Sequence, residues 1–162
     1  MQFFFFSTLT LHEQFRKTLR QHAFRVREAV FQREQGVDWT HDRDMHDSRA
    51  IHFVVYALEE GAQQLTPIGA ARAVEYEGGY KIGRVCVLPD WRRDSLNIGT
   101  QLMEFVIAQL REHASDCPLY LNAQADDAID QNVVPFYEKL GFICVREPFD
   151  IIGIRHQAMA LT

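Results

Sequence analysis

The most informative stretch of the sequence covers residues 85–100 and reads Val85-Cys86-Val87-Leu88-Pro89-Asp90-Trp91-Arg92-Arg93-Asp94-Ser95-Leu96-Asn97-Ile98-Gly99-Thr100. It begins with a short apolar run that stops at a proline, and it continues through a polar loop that holds two arginines. From Ile98 onward the apolar residues recur at helical spacing. The pattern therefore predicts a β-strand, a loop and an α-helix in immediate succession.

The loop and the start of the predicted helix have the properties of an anion-binding site. The first backbone N–H groups of a helix have no intrahelical acceptor, and the helix dipole is positive at that end. Arg92 or Arg93 can add bidentate contacts to a phosphate. Gly99 allows a ligand to approach the backbone closely, and Asn97 tolerates a left-handed conformation. An ordinary strand-to-helix turn is the alternative interpretation, because no P-loop or dinucleotide fingerprint is present.

Outward from this turn, hydrophobic periodicity predicts a succession of strands and helices. The predicted strands are the aromatic run at residues 3–6 and residues 51–58, 67–75, 80–88, 118–123, 142–145 and 154–161, and the predicted helices are residues 11 to about 34, 98–110 and 133–140. Gly61 and Gly78-Gly79 separate three of the strands by hairpin turns, which predicts an antiparallel meander. Strands that alternate with helices follow the meander, so the sequence predicts an α+β fold with a mixed sheet.

Length and composition predict one globular domain over residues 1–162, and no repeat or linker divides them. The 17 basic and 22 acidic residues give a net charge of −5. Because no basic stripe is present, we expect no nucleic-acid partner. The aromatic run near the start is too short for a signal sequence or a membrane span, so we expect a cytoplasmic protein without a membrane partner.

The three cysteines, Cys86, Cys117 and Cys144, do not have the spacing of metal ligands and predict free thiols in a reducing compartment. Residues 38–49 hold several aspartates and histidines and are predicted to form a solvated loop. This segment lacks the glycine and the distal glutamate of an EF-hand, so we expect no metal site.

A second motif lies downstream of the turn and reads Phe136-Tyr137-Glu138-Lys139-Leu140-Gly141-Phe142. Together with the Leu-Pro-x-aromatic-Arg and Ile-Gly-x-x-Leu elements of the turn, it resembles the GNAT (GCN5-related N-acetyltransferase) family. Weaker similarities at residues 30–35, 44–52 and 147–159 extend the resemblance over nearly the whole chain. The family's phosphate loop is Arg/Gln-x-x-Gly-x-Gly/Ala. This chain departs from it: with Gly99 as the last glycine, Asn97 replaces the first glycine and Asp94 replaces the arginine. With Arg93 as the arginine, the loop has an extra residue and Leu96 lies at the first glycine.

The resemblance implies a sheet of about six to seven mostly antiparallel strands, with helices on both faces. It also implies that two central strands splay apart and that the pantetheine arm of acetyl-CoA fills the gap. The implied cofactor-binding residues are Val85, Cys86 and Val87 on the strand, Arg92 and Arg93 in the loop, Asn97, Ile98, Gly99 and Thr100 at the helix start, and Asn132.

The resemblance further implies an N-acetyltransferase that acts on a primary amine of a small molecule or peptide. Tyr137 is the candidate general acid for the leaving thiolate, with half-buried packing as the alternative role. The candidate general base is Glu34, and the alternatives are His52, Glu75 and His156. Arg25 and Arg72 could orient an acidic group.

Two other functions stay open at the level of the sequence. The irregular loop also fits a non-catalytic acyl-CoA-binding or regulatory domain, and the enzyme could transfer a longer acyl chain. A homodimer is likewise left open.

Overall fold

Nine β-strands form one sheet in the computed structural model, which describes residues 1–162. The strands are β1 (Gln2–Ser7), β2 (Ile51–Leu58), β3 (Thr66–Tyr76), β4 (Gly79–Val87), β5 (Leu119–Asp126), β6 (Gln131–Asn132), β7 (Ile143–Cys144), β8 (Phe149–Ile151) and β9 (Ile154–Leu161). Their order is β1-β2-β3-β4-β5-β9-β7, while β6 pairs with β5 and β8 pairs with β9. The predicted antiparallel meander is confirmed as β2, β3 and β4.

Four α-helices accompany the sheet: α1 (Glu13–Arg27), α2 (Trp39–Asp42), α3 (Ile98–His113) and α4 (Val134–Lys139). A π-helical segment, Glu28–Glu34, continues α1, so the single helix predicted for residues 11 to about 34 consists of two parts. The α+β fold is confirmed, with the short strands β6 and β8 in addition to the predicted ones. None of the helices is long and apolar enough to cross a membrane.

The sheet separates two hydrophobic cores. The larger core packs α3 and α4 against one face and includes Leu102, Val106 and Tyr137. The smaller core packs α1 against the other face and includes Leu19, Val26 and Val54. Because apolar residues of the central strands point to both sides, the helices must cover both faces to remove them from water.

The parallel pair β4 and β5 forms a wedge that is closed at one end. Pairing covers only three positions, from Tyr80 opposite Leu119 to Ile82 opposite Leu121. Beyond Ile82, β4 pairs only with β3, and β5 pairs only with β9 and β6. At the closed end, a Cβ atom on Gly79 would lie 1.8 Å from the carbonyl oxygen of Pro118, so only glycine fits there.

A β-bulge interrupts β4 where the wedge begins to open. Gly83 pairs with Arg72 and Cys86 pairs with Ala70, which leaves two residues of β4 opposite one residue of β3. Arg84, one of these two, has a left-handed backbone with φ +53°. Since a non-glycine residue rarely adopts this conformation, surrounding contacts must hold it in place.

Most of the segment at residues 38–49, predicted as a solvated loop, is exposed, but Asp42 and Asp47 are buried and anchor the segment through an ion-pair network. Arg27 is only 1% exposed and bonds Asp42 at 3.0 Å and Asp47 at 2.7 Å. Arg72 bonds Asp44 at 2.7 Å and Asp47 at 3.1 Å. The aspartates are buried because three arginines from α1, β3 and β4 converge on them.

The same network holds the bulge of β4. The Arg84 guanidinium donates to the backbone carbonyl of Asp42 at 2.9 Å and to that of His41 at 2.7 Å. It also donates to the Asp44 carboxylate at 3.2 Å. The acidic segment therefore fixes the strained residue of β4 at the point where β4 leaves β5.

Candidate active site

The open end of the wedge is formed on one side by the predicted cofactor strand. Cys86 and Val87 are buried and Val85 is half-buried, and all three lie beyond the last residue of β4 that pairs with β5. A strand edge without a partner presents unpaired backbone N–H and C=O groups. The wedge can therefore accept an extended ligand that pairs with backbone as a strand would.

The start of α3 presents three backbone N–H groups without an acceptor. The first bond of the helix runs from the Gln101 N–H to the Asn97 carbonyl at 3.1 Å, and no side chain caps the helix. The amides of Ile98, Gly99 and Thr100 are therefore free to bind an anion. Asn97 has a left-handed backbone with φ +52°, the conformation that an asparagine tolerates better than most residues.

The two arginines of the loop have different environments. Arg92 donates to both carboxylate oxygens of Glu34 at 2.6 Å and 2.7 Å, and its Nε donates to the Val87 carbonyl at 2.7 Å. Arg93 is exposed, and its side chain makes no hydrogen bond or ion pair with the chain. Arg93 is therefore the arginine whose guanidinium is free for a phosphate, whereas Arg92 joins the π-helical segment to the loop.

Tyr137 on α4 is 8% exposed, and its hydroxyl makes no hydrogen bond with the rest of the chain. Its ring packs against Phe136 and Phe142. Burial, with nearby Cys86 as a smaller cause, raises the pKa of Tyr137 above its ordinary value. The phenol is thus protonated at neutral pH and has a proton to donate.

The thiols do not form a reactive or metal-binding centre. All three cysteines are free; Cys86 and Cys117 are buried and Cys144 is exposed. Burial raises the pKa of the Cys86 thiol to about 12, which keeps it from ionising at neutral pH. No group of three or more His, Cys, Asp or Glu side chains is placed to hold a metal ion.

Asn132 is the last residue of β6 and lies just before α4. Its amide nitrogen donates to the Asp127 carboxylate at 2.8 Å, and its side-chain oxygen accepts from the Val134 N–H at 3.1 Å. These contacts position the start of α4, and the cofactor role of Asn132 stays a prediction.

The candidate bases differ in access and in charge. His52 is fully buried, and one of its ring nitrogens has no partner; burial lowers its pKa. Glu75 pairs with Tyr80, at the closed end of the wedge. The hydrogen bond from Arg92 lowers the pKa of Glu34. His156 pairs with Gln124 at the far end of β5 from the closed apex.

The hydrogen bond of His156 determines its tautomer. Its Nδ1 lies 2.7 Å from the backbone carbonyl of Ile154. Because a carbonyl oxygen can only accept, Nδ1 carries the proton and the neutral ring keeps its lone pair on Nε2.

Arg25 and Arg72, the two other charged residues named from the sequence, have different environments. Arg25 is exposed on α1 without a carboxylate partner, and Arg72 belongs to the buried network with Asp44 and Asp47. The sequence gives no signal for the role of Arg84, because its partners at residues 41–44 are about forty positions away.

Comparisons with known proteins agree with this geometry. The family described as "Acetyltransferase (GNAT) domain" matches residues 16–162. YjcF, an uncharacterized N-acetyltransferase of Bacillus subtilis (strain 168), is 35% identical over 141 residues, covering 85% of this chain and 88% of the relative.

Solved structures share the fold over nearly the full length. The crystal structure of Escherichia coli ElaA is 26% identical with a TM-score of 0.72, and the match covers 98% of this chain and 97% of that chain. An acyl-CoA N-acyltransferase from Pseudomonas aeruginosa is 24% identical with a TM-score of 0.73, and the match covers 99% of each chain. This chain therefore belongs to the GNAT acetyltransferase family and is an acyltransferase enzyme.

Proposed function

We propose that this protein transfers an acetyl group from acetyl-CoA to a primary amine of a small molecule or peptide. The observation that carries the proposal is the wedge between β4 and β5, which opens beside the three free amides of α3. A linear amide-containing arm and a phosphate group are what these two features accept.

The residues of the wedge fit acetyl-CoA in two respects. The edge at Val85, Cys86 and Val87 has no partner strand and offers backbone groups for the pantetheine amides, apart from the Val87 carbonyl, which accepts from Arg92. The N–H groups of residues 98–100, with the unpartnered Arg93, offer donors for the pyrophosphate. When bound, acetyl-CoA supplies the acetyl group on a thioester and the thiol as leaving group.

Tyr137 is the proposed general acid. Burial raises the pKa of the phenol, so the hydroxyl is protonated at neutral pH, and no group of the chain competes for it. The hydroxyl makes no hydrogen bond within the chain, so it is available to a bound ligand. This supports a role for the hydroxyl toward the leaving sulfur, where it would deliver its proton.

The acceptor amine must lose its proton before it attacks, and two residues are candidates for this role. The ion pair with Arg92 keeps Glu34 ionised and makes it a weak base. His156 has a lone pair on Nε2, and it lies on β9 opposite Gln124 of β5, the strand that α4 packs against. We therefore favour His156 as the base. We place Glu34 at the entrance to the wedge, where a carboxylate can attract a cationic amine.

The experiment is a screen of amines with the purified protein and acetyl-CoA, followed by mass spectrometry for an added acetyl group. Transfer that depends on Tyr137 supports the proposal. Binding of acetyl-CoA without transfer to any amine would contradict the proposed amine acceptor. Parallel reactions with longer acyl thioesters test the chain length, and faster transfer of a longer chain would overturn the acetyl assignment. The cytoplasmic location stays a prediction.

A further inference from the structure

A concave, basic cavity lies at the end of the sheet away from the open wedge. Its volume is about 400 Å³, which is in the size range of small-molecule sites. Its polar lining comes from Thr8, Arg16, Arg20, Ser48, Arg49 and His113.

The cavity is far from the proposed cofactor site. His113 is the last residue of α3, whereas the free amides are at its start. A helix of 16 residues is about 24 Å long at roughly 1.5 Å per residue. The cavity therefore cannot be part of the phosphate site at residues 98–100.

The three arginines of the cavity lack acidic partners. Arg20 and Arg49 make no hydrogen bond or ion pair through their side chains, and Arg16 uses only its Nε, which donates to the Leu11 carbonyl at 3.0 Å. No aspartate or glutamate lines the cavity, although the chain has 22 acidic and 17 basic residues. Arg27, Arg72, Arg84 and Arg92, in contrast, all bond carboxylates.

Three guanidinium groups that face one cavity repel one another unless an anion lies between them. Their terminal N–H groups match the oxygens of a phosphate in bidentate geometry. Thr8 can add a donor, because its Oγ1 accepts the His52 N–H at 3.1 Å and its own proton is free.

We propose that this cavity is a second binding site, specific for a small molecule that carries at least two negative charges on phosphate groups. The number of donors favours phosphate over carboxylate, because each phosphate group offers more acceptor oxygens and more charge than a carboxylate does. The site is separate from the acyl-transfer site, so the proposal does not depend on the acetyl donor or the acceptor amine.

The test is a calorimetric titration of the protein with inorganic pyrophosphate at low ionic strength and without coenzyme A, which carries phosphates of its own. The same titration of Arg93→Ala measures the share of binding that belongs to the wedge site. We expect Arg20→Ala combined with Arg49→Ala to weaken pyrophosphate binding by at least about tenfold, since each loses a charge-assisted contact. Lys17→Ala is the matched control, because Lys17 is exposed on the same helix and does not line the cavity.

Three outcomes would overturn the proposal. They are no binding of pyrophosphate to the unaltered protein, unchanged affinity in the double variant, and an equal loss of affinity in Lys17→Ala. Citrate, titrated in parallel, serves as the carboxylate probe, and citrate binding as tight as that of pyrophosphate would refute the preference for phosphate. The altered arginines lie outside both cores, so the melting curve of the double variant is expected to match that of the unaltered protein.

Discussion

Tyr137 has a ring that packs in the core and a hydroxyl that this packing does not require. Its ring is surrounded by aromatic neighbours of the larger core, while its hydroxyl has no partner in the chain. A phenylalanine would provide the same packing without the hydroxyl. Packing therefore explains the ring of Tyr137 but not its hydroxyl, which is available to a ligand.

Tyr137→Phe is expected to lower turnover by about 10²–10⁴-fold, the range for loss of a general acid, with little change in the Michaelis constant. The free energy of unfolding should change by no more than about 1 kcal/mol, because only an unbonded hydroxyl is removed. Steady-state kinetics and a melting curve for the same variant provide the measurement. Unchanged turnover would reject the catalytic role and leave the fold and the cofactor site untouched.

Arg93→Ala is expected to weaken coenzyme A binding by about 1–3 kcal/mol, the scale of a charge-assisted contact to phosphate. Pantetheine, which lacks the phosphates, should bind equally well to both proteins by calorimetry. Arg92→Ala is the comparison: it frees Glu34 and removes a bond to the Val87 carbonyl, so it should also affect pantetheine. Equal affinity of Arg93→Ala and the unaltered protein for coenzyme A would exclude Arg93 from the phosphate site.

The different roles of these two arginines could not be predicted from the sequence. Both follow the same strand and have the same side chain. The distinction arises because Glu34, 58 positions earlier in the chain, reaches Arg92 and not Arg93. The left-handed Asn97 and the helix start at Ile98, in contrast, depend on neighbouring residues and were predictable.

Among the elements, the acidic segment at residues 38–49 and the bulge of β4 act as one unit. Arg84 joins them, while Arg27 and Arg72 bind the segment to α1 and β3. Burial opposes ionisation of Asp47, but the hydrogen bond and charge of Arg27 outweigh it and hold the pKa of Asp47 well below its ordinary value. Asp47 is therefore ionised at neutral pH.

Asp47→Asn is expected to lower the free energy of unfolding by about 3–5 kcal/mol at neutral pH, because it leaves buried arginine charge without its partner. Asp150→Asn is the control, since its ion pair with Arg155 is exposed and long at 3.7 Å; the change should be about 0–1 kcal/mol. Urea unfolding of the three proteins provides the comparison.

The pH dependence of stability follows from the depressed pKa of Asp47. The carboxylate stabilises the fold at pH values above its unfolded pKa, and this contribution disappears as the pH falls through the lower folded pKa. The unaltered protein should therefore lose stability between about pH 5 and pH 2 more steeply than Asp47→Asn does. Parallel curves for both proteins would contradict the assignment.

At this scale the sequence predicted most of the fold, because strand and helix periods are local signals. The strands of the meander, α3 and β9 lie close to their predicted bounds. The two-residue strand β6 and three-residue strand β8 are too short to produce a period. The buried aspartates were misassigned because polarity predicts exposure unless the partners are known.

At the scale of the whole molecule, the proposed cofactor would contact β4, the loop after it and α3, and so link elements from both cores. A ligand that binds only the folded state adds about 2.7 kcal/mol of stability at a hundredfold excess over its dissociation constant. Millimolar acetyl-CoA should therefore raise the melting temperature, and ATP or NAD should raise it less. A melting curve that acetyl-CoA leaves unchanged would count against the wedge as its site.

The geometry of the wedge also has a consequence for mutational tolerance. Gly79 and Gly83 lie on the same strand, but a Cβ on Gly79 would collide with the Pro118 carbonyl, whereas a Cβ on Gly83 would meet nothing within 4 Å. In a library of variants selected for folded protein, position 79 should accept only glycine, because any side chain would force β4 and β5 apart at the closed end of the wedge. Position 83 should accept alanine and serine in that selection. Recovery of folded Gly79→Ala variants would contradict this expectation, because it would show that the backbone at the closed end can move to make room for a side chain.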